Sequence, residues 1–154
     1  MKTRMFVLML PVVLIAASAC FAQDAQMGTW KLNTAQSKIA NGVARNTTVV
    51  YEAAGDQIKV TVDGLNPDGT AAHNEWTGKF DGVDYAVTGD PTSDMRSYKV
   101  ANPNTLDMKV KKGGKVTVTG QIVVSADGKT RTVTTTGTTP QGQKFKSIAV
   151  YDKQ

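Results

Sequence analysis

"LDMKVKKGGKVTVTGQIVV", Leu106 to Val124, is the stretch whose reading decides the fold. Before the glycine pair Gly113–Gly114, Leu106, Met108 and Val110 alternate with Asp107, Lys109 and Lys111. After it, Val116, Val118, Gly120, Ile122 and Val124 fall together on one face. A period of two is the strand period, because successive side chains of an extended chain point to opposite faces. Two such runs joined by a glycine pair read as a β-hairpin. The lysine run within it, "KVKKGGK" (Lys109 to Lys115), reads as the solvated side of that hairpin rather than as a nucleic-acid patch.

The pattern continues in both directions. Ile58, Val60 and Val62 share a face, as do Trp76, Gly78 and Phe80, then Val83, Tyr85 and Val87, then Arg96, Tyr98 and Val100. Turn signals punctuate the chain at 54–56, 67–69, 81–82, 89–91, 102–104, 113–114, 126–128 and 140–142. Their glycines supply positive φ, their prolines preset φ, and their Asp and Asn side chains bond to nearby backbone. With an opening strand at "GTWKLN" (Gly28 to Asn33), about ten strands result. No convincing helical period follows the first residues; Asn33 to Gly42 reads as a turn or short helix capped by Asn33 or Ser37. Ten open strands would expose long edges, and closure removes them. The expected fold is an all-β, antiparallel up-and-down β-barrel, with a β-sandwich as the alternative.

"KTRTVTTTG" (Lys129 to Gly137) tests that expectation. Thr130, Thr132, Thr134 and Thr136 share one face, and Arg131, Val133 and Thr135 the other. Threonine favours strand without needing burial. With Arg131 and Thr135 flanking Val133, the inward face cannot line a dry core by itself. Either that wall is open to water or the interior holds polar groups and space.

The first residues follow the layout of a bacterial secretory signal: Lys2 and Arg4, an apolar run from Met5 to Ala17, then small residues. Two outcomes are open. Cleavage after Ala22 leaves one soluble domain over 23–154; alternatively "ASAC" is a lipoprotein box and Cys20 carries a lipid anchor. Ala17 stands where such boxes usually carry leucine. Both place the protein in the periplasm, outside the cell or on the envelope. Without Lys2 and Arg4, 16 basic residues stand against 13 acidic, a net charge of +3. Cys20 is the sole cysteine, so the soluble chain has no disulfide and no thiolate ligand. No further apolar run is long enough to span a bilayer.

The catalytic inventory is thin. The one histidine, His73, falls with Glu75 on the face away from Trp76 and reads as a surface residue. Asp81, Asp84, Asp90 and Asp94 lack calcium-loop spacing and read as turn formers, so no metal and no cofactor is expected. An enzyme is not expected; a barrel isomerase or hydrolase using tyrosine and a carboxylate is a third reading. What remains is an aromatic set with Arg96 on the face of Tyr98. A buried arginine is costly unless paired, so Arg96 marks a barrel mouth, an internal ion pair or a site for an anionic group.

"GTWKLN" at one end and "AVYDKQ" at the other resemble the ends of the calycin group, the lipocalins and fatty-acid-binding proteins. In that group a G-x-W, here Gly28 and Trp30, opens the first strand. The fatty-acid-binding branch closes on R-x-Y, matched here by Tyr151 with Asp152 and Lys153, but Ala149 replaces the carboxylate-binding arginine. Asn33 to Asn46 is also too short for that branch's two-helix lid. The chain resembles, too, small secreted bacterial proteins of unassigned function, through turns such as "DGVDYAVTGDP" and "VSADGKT". The resemblance implies a lipocalin-like barrel and no activity. The expected function is a non-enzymatic binder of a small apolar or amphipathic ligand. Trp76, Phe80, Tyr85, Tyr98 and Tyr151 would line the cavity, and Arg96 would meet an acidic group. The alternative is an envelope structural or protein-interaction barrel with a filled core. Nucleic acid is not an expected partner.

Overall fold

A computed structural model describes residues 24–154; the signal sequence, its cleavage alternatives and Cys20 lie outside the described residues. Ten strands follow: β1 (Gly28–Leu32), β2 (Arg45–Ala54), β3 (Gln57–Leu65), β4 (Ala71–Gly78), β5 (Tyr85–Thr88), β6 (Met95–Asn102), β7 (Thr105–Lys112), β8 (Lys115–Val124), β9 (Thr130–Thr138) and β10 (Lys144–Lys153). Each pairs antiparallel with its sequence neighbour, and β1 also pairs with β10 through Trp30↔Lys153, Lys31↔Asp152 and Leu32↔Tyr151. The sheet is therefore one closed barrel, and the sandwich alternative is excluded.

The turn residues do what their chemistry requires. Gly113 and Gly114, with φ of 55° and 77°, join β7 to β8 in a conformation that a side chain would resist. The hydrophobic faces point inward as the alternation demands: Ile58, Val60, Val62, Trp76, Tyr98, Leu106, Ile122 and Val124 are all buried. Two residues depart from it. A register shift after Val110 skips Thr117, so Val116 pairs with Lys111 and is half-exposed instead of inside. Val83 lies before β5, in a turn where its amide donates to Asp81 Oδ1 (3.0 Å), and is exposed.

β1 has half the length of β2 and β10. The segment after it closes the remaining gap. Lys38 and Ile148 exchange backbone hydrogen bonds at 2.7 and 2.8 Å, and Ala40 N donates to Ser147 Oγ (3.0 Å). Asn33 accepts from the Gln36 amide, capping a single turn and not a helix. At the opposite end, a helical turn at 24–26 packs under Trp30, whose indole Nε1 donates to Gln26 O (2.8 Å).

Candidate functional site

Inside the barrel the strands β4 to β6 build an aromatic wall. Trp76 meets Tyr98 edge-on at 4.8 Å between ring centres, Tyr85 edge-on at 5.7 Å, and Phe80 stacked at 6.3 Å. Tyr51 from β2 approaches Phe80 edge-on at 6.4 Å. These are favourable aromatic geometries. The Trp76 indole donates to Arg96 O (2.9 Å), which satisfies its polar atom. Five of the expected lining residues, Trp76, Phe80, Tyr85, Arg96 and Tyr98, are thus brought together. Tyr151 belongs to the same buried cluster but stands on another wall. It lies on β10, directly opposite Arg131 of β9.

The two inward arginines have different surroundings. Arg96 Nη2 donates to Asn74 Oδ1 (3.3 Å) and lies 3.8 Å from Asp90 Oδ2. The chain itself answers this charge in part, Arg96 Nε being buried without a hydrogen-bond partner. Burial works to raise the Asp90 pKa, but hydrogen bonds from Ser93 and Thr92, with Arg96 beside them, hold it below the ordinary carboxylate range. Arg131 is 2% exposed, and its guanidinium stands 4.8 Å from the Tyr151 ring, 5.1 Å from Tyr51 and 5.2 Å from Trp30. Among the described residues no carboxylate pairs with it, and Nε and Nη1 are buried without a hydrogen-bond partner. Three ring faces offset part of the desolvation of this cation, though they accept no hydrogen bond.

Arg131 was not one of the expected site residues. Its signal was nevertheless present, as the one charge on the inward face of a threonine strand.

The tyrosines feel the same interior. Burial, then the neighbouring Tyr98, push the Tyr51 phenol well above its ordinary pKa, with Arg131 and Arg96 opposing. Burial likewise raises Tyr151, whose hydroxyl donates to Asn46 O (3.1 Å).

The wall formed by β7 to β10 is lined by smaller or more flexible side chains. Met108, Gly120, Val133, Thr135 and Ala149 face inward yet remain only half-buried, although Thr135 and Met108 close tightly over Gly120. Ala149 sits across from Val133. Two depressions open at the rim instead. One of about 340 Å³ lies between β8, β9 and β10, the other of about 240 Å³ between residues 39–43 and the β3–β4 turn. Neither includes any of the six expected lining residues.

The remaining candidates for chemistry lie outside the barrel. His73 Nδ1 stands 2.6 Å from Asp63 Oδ1 on the exposed face of β3 and β4. Asp81 and Asp90 bind the amides two residues ahead, those of Val83 and Thr92. Asp84 pairs with Lys111, and Asp94 accepts from Gly113 N (2.8 Å). These acids are occupied in local and turn structure. Among the described residues no group of three His, Cys, Asp or Glu side chains is placed to hold a metal.

No protein-family model matches the chain, and no curated protein matches it. Among solved structures, that of EF1p2_mFAP2b bound to DFHBI aligns with a TM-score of 0.52 at 12% identity, over 89% of this chain and 100% of the other. A redesigned β-barrel, mFAP1, bound to DFHBI, aligns with a TM-score of 0.45 at 14% identity, over 86% and 98%. The likeness to the first is one of fold.

Proposed function

We propose that this protein is a secreted or periplasmic binder of a small amphipathic molecule with an anionic group, which it holds inside the barrel without chemistry. Arg131 carries the proposal. A buried guanidinium that meets no acid among the described residues, with Nε and Nη1 lacking an acceptor, is an energetic liability unless something answers it. An anionic group at Arg131 supplies the missing acceptors, and its apolar part lies between the aromatic wall and the half-buried Met108, Val133 and Ala149. Arg96, already answered in part by Asp90 and Asn74, contributes less to the anion.

One observation favours a second reading, a filled barrel whose outer surface acts. Trp76 and Tyr98 are almost wholly buried by their own neighbours, as in a packed core.

Native mass spectrometry with solvent extraction, on protein purified from its own host, separates the two. The expected result is an extra mass that extracts as an acid, absent from Arg131→Met purified alongside. Replacing a buried charge by an apolar side chain of similar length often costs little, so Arg131→Met is expected to unfold within about 1 kcal/mol of the parent. A bare polypeptide mass in the parent, together with clear destabilisation of Arg131→Met, establishes the filled barrel.

A further inference from the structure

The outer face of β7 to β10 carries a pattern that the interior does not explain. Register places Lys109 opposite Thr119, Thr119 opposite Thr136, and Thr136 opposite Lys146. One row across four strands therefore reads lysine, threonine, threonine, lysine. The two threonine hydroxyls lie 3.3 Å apart. At the rim above this row Thr138 stands opposite Lys144, and the depression of about 340 Å³ opens there, lined in part by Thr117, Lys144 and the half-buried Phe145.

Among the described residues neither Lys109, Lys144 nor Lys146 takes part in an ion pair. The carboxylates nearest in register are already bound: Asp84 to Lys111, Asp94 to the Gly113 amide, Asp107 to Gln121 Nε2 (3.1 Å). The face is cationic at both sides and hydroxyl-lined between.

We infer that this face binds an acidic glycan, a sugar chain bearing carboxylate or sulfate groups. Lys109 and Lys146 are three strands apart, roughly 14 Å between backbones. That separation seats two acidic groups along one chain and not a single small anion. The threonine hydroxyls donate to and accept from sugar hydroxyls. A nucleic-acid duplex is held chiefly by many Lys and Arg contacts to phosphates, and the three lysines of this face offer few of them. The inference is independent of the barrel interior.

Titration of the full-length mature protein with polygalacturonate and dextran sulfate, against neutral dextran, tests it. Acidic chains should bind and neutral dextran should not. The double variant K109Q/K146Q should weaken binding at least tenfold. The control K31Q/K129Q, with the same loss of charge on other surfaces, should change it less than twofold. T119V/T136V keeps strand-favouring side chains and all the charges, and should still weaken binding several-fold. Three results overturn the inference: no binding of either acidic polymer, equal loss in both lysine variants, or duplex DNA bound as tightly with T119V/T136V unaffected. Unchanged circular dichroism of each variant confirms that the comparison is between folded proteins.

Discussion

Arg131 and Arg96 show how far one residue's meaning depends on what stands across the barrel. Both are inward arginines on strands, yet Arg96 meets Asp90 and Asn74 while Arg131 meets only rings. Tyr51 lies between the two groups, edge-on to Phe80 and face-on to Arg131. Its raised pKa makes a stability statement. The folded-state value lies above the unfolded value of about 10, so the neutral phenol's contribution is fully present below pH ~10 and is lost as pH rises through the folded pKa. Urea midpoints should therefore be level up to about pH 10 and fall above it. Tyr51→Phe, which keeps the ring, should flatten that fall. An equally steep alkaline decline in Tyr51→Phe would place the titrating group elsewhere.

At the scale of the element, the wall is weakest where it is most aromatic. β5 has four residues and pairs with β4 and β6 through two residue pairs each. Side chains make up the deficit: Tyr85 of β5 packs edge-on against Trp76 of β4. Gly78 makes that contact possible. A Cβ there would lie 2.5 Å from the Tyr85 ring and 2.7 Å from Trp76 Cζ2, both impossibly close. Gly78→Ala should thus destabilise by about 1–3 kcal/mol through forced repacking. Urea denaturation would measure the loss, and near-UV circular dichroism should change with it, because the Trp76 environment moves. A neutral substitution would mean that the aromatic wall is loosely packed.

These elements also show what can be read ahead. All eight turn signals fall between strands, and each follows from residues that act locally: glycine at positive φ, proline, and Asp bonding two residues on. The faces of β3, β6 and β9 follow from alternation alone. The face of Val116 does not, because the skipped Thr117 is a matter of pairing with β7 and leaves no mark in the strand's own sequence. That Tyr151 stands on a different wall from Trp76, though in the same buried cluster, has a related cause: shared inward facing says nothing about which strands lie opposite one another.

For the whole molecule, closure rests on three residue pairs between β1 and β10, extended by the backbone bridge between Lys38 and Ile148. Deleting residues 151–154 removes all three pairs, strips Tyr151 from Arg131, and frees the edge of β1, leaving β10 held only by the segment around Lys38. Free edges pair with other chains. The truncated protein should elute as oligomers in size-exclusion chromatography, or lose its β signal in far-UV circular dichroism. A monomer with the parent spectrum would show that the meander stands without closure.

Sequence alone determined that the chain is a meander of about ten short antiparallel strands, where they turn, and which residues of most strands face inward. Those features depend on local backbone chemistry and a period of two, which any short window contains. Tertiary structure decided the rest: that the meander closes, that Arg96 is partly answered while Arg131 is not, and that Lys109 and Lys146 bracket two threonines. Each of these depends on the register between strands and on which walls face each other, relations between residues far apart in the chain that no local pattern encodes.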